Sequence, residues 1–574
     1  MSNYTDNYSK WLNCDMLSSE EKAELLAIAD NDSEKKSRFS SYLSFGTAGL
    51  RGIMKTGMNA MNIHTVGYAT QGIANLIIKE NRVSSGAVIA YDSRNNSEKF
   101  AKVAACVLAA NGITTYIFDG VRPTPELSFA LRELKCVAGI NITASHNPKE
   151  YNGYKAYWED GAQLPPEHAD TVSKEIAKLD IFTDIRTTDF DESVKNGKIK
   201  IIGDEIDEKY LEQVLMQRVN PSAIAAVADE LKIVYTPLHG AGHKLVPEIL
   251  KRSGLKHLYT VSEQMVLDGN FPTVKKPNPE ISDVFDLGVK IAQNIGSDLV
   301  VATDPDADRV GVVSKTTDGN FVTISGNQMG ALLLDYIITA YEETNTMPDS
   351  PYAVKTIVTS ELATKICNAH GVHIYNVLTG FKFIGEVIKK HEQAGKGFYL
   401  LGFEESYGYL KGTYARDKDA VVASMLICEM AAFYKAKNMT LLDALNGLYE
   451  KYGFSYETNI EINMDGVDGS ERMAALMVSL RENSPKCFGG VDVAVVGDYL
   501  KETITDLNTK EVAPTGLPKS NVLYYKLTNG DVIVARPSGT EPKVKFYFLL
   551  SGKDSSETTK KFEAYKETVS VLIK

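Results

Sequence analysis

Hydrophobic and polar positions follow one another in the same order at three places along the chain. Each place has an apolar run rich in β-branched residues, a polar loop, a helical stretch, a dipeptide that ends in glycine and a second apolar run. β-Branched runs are typical of buried strands, and a glycine ends a helix in the left-handed conformation. The pattern therefore predicts three strand–helix–strand units with parallel crossovers. They begin at Ala87, Lys232 and Ala353, and their glycines are Gly112, Gly254 and Gly371.

The C-terminal part has a different pattern. Two apolar segments, 522–528 and 531–536, flank Asn529-Gly530, which is a strong short signal for a β-hairpin. A third apolar run at 543–550 and a helical stretch at about 556–573 follow. These features predict a small α+β domain with an antiparallel sheet.

We therefore predict three similar mixed α/β domains in series and a smaller C-terminal α+β domain. At 574 residues the chain is too long for a single hydrophobic core. Segment 1–40 is predicted to be helical, because Ser18-Ser-Glu-Glu21 fits a capping box. The predicted domains are 1–215, 216–325, 326–455 and 456–574.

Composition excludes some classes of function. The chain has 62 basic and 74 acidic residues, a net charge of −12, which disfavours non-specific binding to nucleic acid or an anionic membrane. No apolar run approaches the roughly 18–20 residues that span a bilayer, and the N-terminus lacks the features of a secretory signal. The six cysteines form no C-x-x-C pair, so neither structural zinc nor a disulfide framework is expected. We expect a cytoplasmic protein.

A hydroxyl stands next to an imidazole directly after one predicted strand. The apolar run Val137–Ile142 is followed by Thr143-Ala-Ser145-His146-Asn-Pro148, in which Asn-Pro indicates a turn. Active sites of parallel α/β sheets gather at the ends of strands, so Ser145 is well placed for nucleophilic chemistry. A Ser-His pair is common, and it indicates catalysis only together with other groups.

Those other groups begin with Asp304-Pro-Asp306-Ala-Asp308-Arg309, which follows the apolar run 299–302. Three carboxylates at alternate positions can converge on one hard cation such as Mg²⁺. An EF-hand is the first alternative, but Arg309 and Lys315 stand where that loop needs glycine and glutamate. A solvated acidic turn is the second alternative.

Further loops offer groups that bind phosphate or sugar. The segment 536–543, Arg-Pro-Ser-Gly-Thr-Glu-Pro-Lys, concentrates a guanidinium, two hydroxyls and glycine N–H groups. The segment 45–52 contains several glycines and Arg51, and taken alone it is better explained as a plain turn. Glu404, Glu405 and Ser406 follow an apolar run and could bind sugar hydroxyls, and 416–419 adds cations. The chain has neither a Walker A nor a dinucleotide-binding glycine motif.

Four motifs in this order, Thr-Ala-Ser-His-Asn-Pro, Asp-Pro-Asp-Ala-Asp-Arg, Gly-Phe-Glu-Glu-Ser-Tyr-Gly and Arg-Pro-Ser-Gly-Thr-Glu-Pro, resemble those of the α-D-phosphohexomutase superfamily. The resemblance spans about residues 40–550 and is strongest to bacterial phosphoglucomutases of the phosphoglucomutase-2-like branch. It implies four domains around a central cleft, which agrees with the pattern above. In one respect the chain departs from the best-known glucose enzymes, which carry Gly-Glu-Glu-Ser-Phe-Gly without a residue at the position of Phe403.

The resemblance also implies roles for individual residues. Ser145 matches the phosphorylated serine, which with Asp304, Asp306 and Asp308 completes a Mg²⁺ site. Glu404 and Ser406 match the residues that hold sugar hydroxyls. Arg536, Ser538, Gly539 and Thr540 match the loop that binds the non-reacting phosphate. His146, Arg51, Lys155 and Lys418 are expected in catalysis. Further substrate contacts are expected from Arg309, Thr379, Gly380, Lys382 and Arg416.

The implied reaction interconverts glucose 1-phosphate and glucose 6-phosphate through phosphoserine and glucose 1,6-bisphosphate, which is also the expected activator. Mg²⁺, one per chain, is the expected cofactor. A phosphopentomutase or phosphomannomutase of the same mechanism is the alternative, since the Phe403 variant resembles a branch that includes phosphopentose enzymes. A catalytically silent phosphosugar-binding protein is the non-enzyme alternative. We expect a small phosphosugar as partner, no nucleic acid or membrane, and a monomer or weak homodimer.

Overall fold

The computed structural model describes residues 3–46, 49–464, 468–539 and 542–573. The chain forms two compact units, each assembled from separate segments. The first unit comprises Met1–Ile324, Ile388–Ala394 and Gly408–Thr440. The second comprises Ser325–Val387, Gly395–Tyr407 and Leu441–Lys574. The predicted domain boundaries near 215, 325 and 455 remain predictions.

Three short helices open the first unit, as the sequence predicts for segment 1–40. The capping box at Ser18 is present, because its side chain accepts from the backbone N–H of Glu21 and the Glu21 carboxylate accepts from the backbone N–H of Ser18. Trp11 and Phe39 are buried and pack edge to face. The helices are α1 Tyr4–Leu12, α2 Ser19–Leu26 and α3 Asp32–Phe39.

The first sheet of this unit has six strands in the order β1-β5-β4-β2-β3-β6. Strands β2, β3, β4 and β6 are parallel, whereas β5 runs antiparallel to both β4 and β1. The strands are β1 Leu50–Ile53, β2 Ala87–Tyr91, β3 Thr115–Phe118, β4 Ala138–Ile142, β5 Tyr151–Trp158 and β6 Ile199–Ile202. The accompanying helices are α4 Ile63–Lys79, α5 Ser97–Ala110, α6 Thr124–Glu133, α7 Pro166–Ile176, α8 Phe190–Lys195 and α9 Asp204–Leu215. Because Tyr91 pairs with Ile142, the residues that follow β2 and β4 emerge side by side.

The second sheet of the first unit has five strands in the order β11-β10-β9-β7-β8. Strand β7 is parallel to β8 and β9, and β10 returns antiparallel to β9. The strands are β7 Lys232–Thr236, β8 His257–Thr260, β9 Leu299–Thr303, β10 Val310–Lys315 and β11 Phe321–Ile324. The helices here are α10 Pro221–Ala226, α11 Gly242–Arg252, α12 Ser262–Met265 and α13 Asp286–Ile295. All five residues of β9 are buried, as predicted for the strand that precedes the aspartate loop.

In the second unit, β13, β12 and β14 are parallel neighbours in that order. The strands between 351 and 410 are β12 Pro351–Thr356, β13 His373–Val377, β14 Phe398–Glu404 and β15 Gly408–Leu410, the last of which belongs to the first unit. The helices between 326 and 452 are α14 Gly326–Glu343, α15 Glu361–Ala369, α16 Phe381–Ala394, α17 Ala420–Lys435 and α18 Leu441–Tyr452.

The C-terminal sheet is antiparallel, in the order β16-β23-β22-β21-β18-β19-β20, with β17 paired to β18. The predicted hairpin is present as β21 and β22, and β23 follows it. β16, which pairs with β23 along ten residues, was not predicted, although its apolar and polar residues alternate. The elements are β16 Phe454–Asn463, β17 Cys487–Phe488, β18 Val491–Asp498, β19 Thr503–Asp506, β20 Val512–Pro514, β21 Leu523–Leu527, β22 Val532–Pro537, β23 Lys543–Gly552, α19 Gly469–Glu482 and α20 Ser555–Leu572.

The three predicted strand–helix–strand units are confirmed. In each, the two strands are parallel neighbours and the connecting helix ends close to the predicted residue. Gly112, Gly254 and Gly371 have φ of 79°, 101° and 67°, the left-handed region predicted for helix stops. Three mixed α/β segments followed by a β-rich C-terminal segment therefore make up the fold, as predicted. No helix among the described residues is both long and apolar enough to span a membrane.

Candidate active site

Ser145 lies in a tight turn immediately after β4. Its side chain is almost completely buried and its φ is 52°, a left-handed conformation that is uncommon outside glycine. The Ser145 N–H donates to the Thr143 hydroxyl at 2.8 Å, which stabilises this conformation. The strand end thus presents one hydroxyl in a fixed position.

The guanidinium of Arg94 holds the same turn from beneath. One terminal nitrogen donates to the carbonyls of Ser145 and Asn147, both at 2.5 Å. The other donates to the carbonyls of Pro148 and Tyr151, at 2.9 and 3.1 Å. A single planar group therefore satisfies four carbonyls of the turn, which fixes its shape.

Asp92 connects Arg94 to the end of β4. Its carboxylate accepts from the hydroxyls of Thr143 at 2.6 Å and Ser97 at 2.7 Å, and lies 3.3 Å from Arg94 Nε. Burial raises the pKa of Asp92, while Arg94 opposes the rise. Both residues lie in the polar loop after the first predicted strand, and neither was predicted to belong to the site. They follow β2, a parallel strand adjacent to β4, and this position could have indicated that they lie close to Ser145.

The three aspartates of the 304–309 loop converge as predicted. All three side chains are at most 2% exposed, and one carboxylate oxygen from each lies within 4.8 Å of those of the others. The loop turns through Ala307, whose φ is 49°. Asp304 accepts the Ser145 hydroxyl at 2.8 Å, so the two predicted motifs meet directly. The alternative of a solvated acidic turn is wrong, because these carboxylates are buried.

The residues fit a hard divalent cation. Asp306 Oδ1 and Asp308 Oδ1 are buried and have no hydrogen-bond partner among the described residues. Buried oxygens without a partner are unfavourable, and all the ligands offered are oxygens, as Mg²⁺ prefers. Burial, together with the charges of Asp306 and Asp308, raises the pKa of Asp304 well above its usual range. A cation among the three would relieve this repulsion.

Two lysines compensate part of the negative charge. Lys155 Nζ lies 2.7 Å from Asp306 and 3.1 Å from Asp308, and Lys418 Nζ lies 3.2 Å from Asp308. Burial alone would raise the pKa of Asp308, but these lysines outweigh it and hold that pKa below its usual range. Burial alone would lower the pKa of Lys155, but Asp306 and Asp308 raise it. Lys155 therefore remains charged beside the aspartates.

Three further predicted residues, His146, Arg51 and Arg309, lie near the serine turn. His146 Nδ1 is 3.3 Å from Ser145 Oγ. Burial, and then the positive charges of Arg309 and Arg51, hold the pKa of His146 well below its ordinary value, so the imidazole is neutral. Arg51 donates to the Asn147 side chain at 3.0 Å, and Arg309 donates to Glu280 at 2.5 Å.

Thr124 anchors the aspartate loop from α6. Its hydroxyl donates to Asp306 Oδ2 at 2.8 Å, and its N–H donates to the Asp306 carbonyl at 2.8 Å. Asn141, in β4, donates to the Thr124 hydroxyl at 2.7 Å. Neither Thr124 nor Asn141 was predicted to belong to the site, and no motif surrounds Thr124.

Arg416 faces a different environment from Lys418. Its guanidinium donates to Glu392 at 2.5 Å and to the carbonyls of Thr413 and Ala415. Its side chain is 1% exposed, and no ion pair joins it to the three aspartates. Of these two cations, Lys418 alone has an ion pair with the aspartate loop among the described residues. The substrate contact expected from Arg416 remains a prediction.

A second set of predicted residues lies in the second unit. Glu404, the last residue of β14, is buried and accepts from the backbone N–H of Gly380 at 2.8 Å. Thr379 and Lys382 flank Gly380 at the start of α16, so the structure brings these predicted positions together. Ser406 follows in the turn after Glu404 and is half-buried. Burial lowers the pKa of Lys382.

Phe403, the departure from the glucose-type motif, is a core residue. Its side chain is 0% exposed, and its ring fills the space beside Gly330 of α14, where an added Cβ would lie 2.1 Å from the ring. Phe403 therefore belongs to the packing between β14 and α14 that precedes Glu404.

The predicted phosphate loop follows β22. Arg536 is half-buried near Tyr547, while Ser538 is half-buried and Gly539 is exposed. The Ser538 N–H donates to the Lys543 carbonyl at 2.8 Å, which closes the loop. Thr540, the fourth predicted residue, lies outside the described residues.

Models of three consecutive domains of one family match most of the chain. They are described as phosphoglucomutase/phosphomannomutase, alpha/beta/alpha domains I, II and III, and match residues 42–181, 208–319 and 325–452.

Curated relatives match over nearly their whole length. The phosphoglucomutase of Staphylococcus saprophyticus is 37% identical over 534 residues, which cover 93% of this chain and 95% of that protein. A phosphoglucomutase of Staphylococcus aureus is 36% identical over 536 residues, with 93% and 94% covered.

Solved structures show the same fold at low identity. The Paramecium phosphoprotein pp63/parafusin, a phosphoglucomutase in its open form, superposes with a TM-score of 0.68 at 17% identity, covering 94% of this chain and 95% of that one. A phosphoglucomutase/phosphomannomutase family protein from Burkholderia thailandensis gives 0.65 at 18% identity, with 93% and 98% covered. The chain belongs to the phosphoglucomutase/phosphomannomutase family.

Proposed function

We propose that this chain is a phosphoglucomutase that interconverts glucose 1-phosphate and glucose 6-phosphate through a phosphorylated Ser145 and glucose 1,6-bisphosphate. The observation that carries the proposal is the 2.8 Å contact between the Ser145 hydroxyl and Asp304 inside a buried loop of three aspartates. Relatives named phosphoglucomutase, at 36–37% identity over more than nine-tenths of the chain, support the glucose substrate. A mutase of this kind is an isomerase, an intramolecular phosphotransferase.

Asp304, Asp306, Asp308 and the Ser145 oxygen would hold the expected Mg²⁺. When bound, the ion neutralises charge on the phosphoryl group that is transferred. Lys155 and Lys418, which lie 2.7 Å from Asp306 and 3.2 Å from Asp308, add to this neutralisation from the protein itself.

In the forward reaction the bond between Ser145 Oγ and phosphorus breaks while a bond forms between phosphorus and the sugar hydroxyl. The proton of that hydroxyl ends on the Ser145 oxygen that is released. In the second transfer Ser145 Oγ bonds to the phosphorus at the other end of the bisphosphate, and its proton ends on the sugar oxygen from which that phosphoryl group departs. His146 has a neutral imidazole 3.3 Å from Ser145 Oγ and is able to accept a proton there. The Arg94 contacts hold the serine turn in one geometry through both transfers.

We assign sugar contacts to Glu404 and Ser406, and phosphate contacts to Arg536, Ser538 and Gly539. Two features support this assignment. Glu404 ends a buried strand and already binds the Gly380 amide, and Arg536 leads into a closed, glycine-containing loop. Thr379, Lys382, Arg309 and Arg51 are proposed to contribute further contacts to the anionic substrate.

We further propose that glucose 1,6-bisphosphate activates the enzyme by phosphorylating Ser145, and that the protein acts as a monomer or weak homodimer. A free phosphosugar substrate favours a cytoplasmic location. Neither nucleic acid nor a membrane is needed for the proposed chemistry.

The test is a coupled assay with catalytic glucose 1,6-bisphosphate that compares kcat/KM for glucose 1-phosphate, mannose 1-phosphate and ribose 1-phosphate. We expect glucose 1-phosphate to be preferred. A tenfold or greater preference for ribose 1-phosphate would overturn the assignment of glucose 1-phosphate as the substrate, but it would leave the phosphoserine mechanism in place. No turnover of any of the three would leave only a phosphosugar-binding protein, and net release of phosphate at the same rate would indicate a phosphatase.

A further inference from the structure

A cavity lined mainly by charged side chains lies in the first unit, apart from the serine and aspartate loops. Its volume is about 370 Å³, and neither Ser145 nor any of the three aspartates lines it. Its charged lining comprises five basic and three acidic side chains. Small-molecule sites typically occupy about 300–1,000 Å³, so the cavity can hold a compact metabolite.

Ion pairs account for only part of the positive charge. Arg82 pairs with Glu159 at 2.7 Å, and Lys389 pairs with Asp160 at 2.8 Å. The remaining three basic side chains have one carboxylate among them: Arg132 and Arg416 share Glu392, at 3.4 and 2.5 Å. Lys135 has no ion pair among the described residues. The lining therefore has an excess of two positive charges.

Two guanidinium N–H groups of the lining lack acceptors. Arg132 Nη1 and Arg416 Nε are buried, and neither has a hydrogen-bond partner in the described part of the chain. Arg416 is almost completely buried, with its side chain 1% exposed. Buried charged donors without partners are unfavourable, and they are rare unless something else satisfies them.

The electrostatics of Arg416 agree with an incomplete site. Burial and the like charge of Arg132 lower the pKa of Arg416, and Glu392 only partly opposes them. A second anion next to the two guanidinium groups would reduce this repulsion. Paired guanidinium groups bind the oxygens of phosphate through directed, charge-assisted hydrogen bonds.

We propose that this cavity is a binding site for a phosphate dianion, free or as the monoester of a small metabolite, separate from the site around Ser145. The excess of two positive charges matches a phosphate monoester, which carries about −1.5 to −2 at pH 7. The unsatisfied donors of Arg132 and Arg416 supply the directed contacts, and Lys135 supplies the remaining charge.

Two of the segments that line the cavity also contact the aspartate loop. Arg132 lies near the end of α6, whose first residue, Thr124, binds Asp306. Arg416 lies two residues before Lys418, which contacts Asp308. An anion held between these elements is therefore linked to the geometry of the aspartate loop.

The test measures phosphate binding to the full-length protein by isothermal titration calorimetry. The probes are inorganic phosphate and glycerol 2-phosphate, which distinguish the free ion from an ester. The variants are Arg132→Gln and Lys135→Asn, with Lys135→Arg as the matched control that retains the charge. Lys135 is exposed at φ 53°, a conformation that asparagine tolerates well, so Lys135→Asn keeps the fold even if Arg132→Gln does not.

We expect the wild-type protein to bind at least one of the probes at two classes of site, the second being the phosphate-binding site of the proposed mutase. Arg132→Gln and Lys135→Asn should weaken one class at least tenfold and leave the other unchanged, whereas Lys135→Arg should bind like wild type. Equal affinity and stoichiometry in wild type and Lys135→Asn would overturn the inference. Because the other class is read in the same titration, its absence would count against the proposed function and not against this cavity.

Discussion

Replacing Asp306 by asparagine is expected to abolish most of the activity while leaving the fold intact. In the structure, Thr124 and Lys155 both donate to Asp306 Oδ2, and Oδ1 has no partner among the described residues. The asparagine oxygen should therefore occupy the position of Oδ2, because only an oxygen can accept from both donors. The amide NH₂ would then take the place of Oδ1, so a hydrogen-bond donor would replace a metal ligand.

The size of the loss follows from charge. Two unit charges about 4 Å apart interact by roughly 4 kcal/mol at an effective dielectric constant near 20. Each 1.36 kcal/mol corresponds to about a tenfold change, so the loss of one carboxylate charge predicts a decrease of roughly three decades in kcat/KM at limiting Mg²⁺. Lys155 keeps Asp308 as a partner at 3.1 Å, so the free energy of unfolding should change far less than the activity does.

The assay is kcat and KM for glucose 1-phosphate over a Mg²⁺ titration, with the melting temperature measured on the same samples. Asp318→Asn is the matched control, because Asp318 is also an aspartate in a polar turn but is exposed, and it accepts hydrogen bonds from Thr316 and Asn320. A loss of tenfold or less with an unchanged Mg²⁺ dependence would refute the reasoning and leave the loop with a purely structural role.

Three further predictions address the phosphoserine, the substrate contacts and stability. Incubation with glucose 1,6-bisphosphate should add one phosphoryl group to the intact mass of the wild-type protein and none to Ser145→Ala; a label on the variant would exclude Ser145 as the carrier. Glu404→Ala should lower kcat/KM by one to two decades, about 1–3 kcal/mol for a lost buried hydrogen bond, whereas Arg536→Ala should mainly raise KM for all phosphosugars alike. Burial raises the pKa of Glu457 to about 7, so its contribution to stability is complete below about pH 4.5 and is lost as the pH rises through 7. Denaturant unfolding should show a loss of roughly 2–3 kcal/mol between pH 5 and pH 8 that Glu457→Gln reduces, and identical pH profiles would contradict the assignment.

The sequence predicted those parts of the site that follow from local pattern. Apolar runs followed by polar loops located the ends of β4, β9 and β14, and with them Ser145, the three aspartates and Glu404. The Asn529-Gly530 turn between two apolar segments located the hairpin of β21 and β22. These signals are local because apolar runs indicate buried strands, and turn residues indicate the turns after them, within a few adjacent positions.

The remaining parts depend on contacts between segments distant in sequence. Thr124 reaches Asp306 across 182 positions, and no local pattern distinguishes it from any threonine at the start of a helix. Arg94 lies in a loop that the pattern did identify, but its four carbonyl partners depend on the register of β2 against β4. Arg416 and Lys418 are similar cations in sequence, and only the turn between them sends one to Glu392 and the other to Asp308. β16 is an exception, because its apolar and polar residues alternate as in a half-buried strand, so local pattern was sufficient to predict it and the strand was missed.

The discontinuous first unit has a consequence for synthesis on the ribosome. The aspartate loop is translated by residue 309, but Lys418, which offsets the charge of Asp308, belongs to the segment Gly408–Thr440. At roughly 5–20 residues per second, the ribosome needs on the order of ten seconds to pass from the first segment of the unit to the last. During that interval the emerging chain carries three clustered carboxylates without one of their two lysines. Co-translational folding of the first unit should therefore finish only after part of the second unit has already left the exit tunnel.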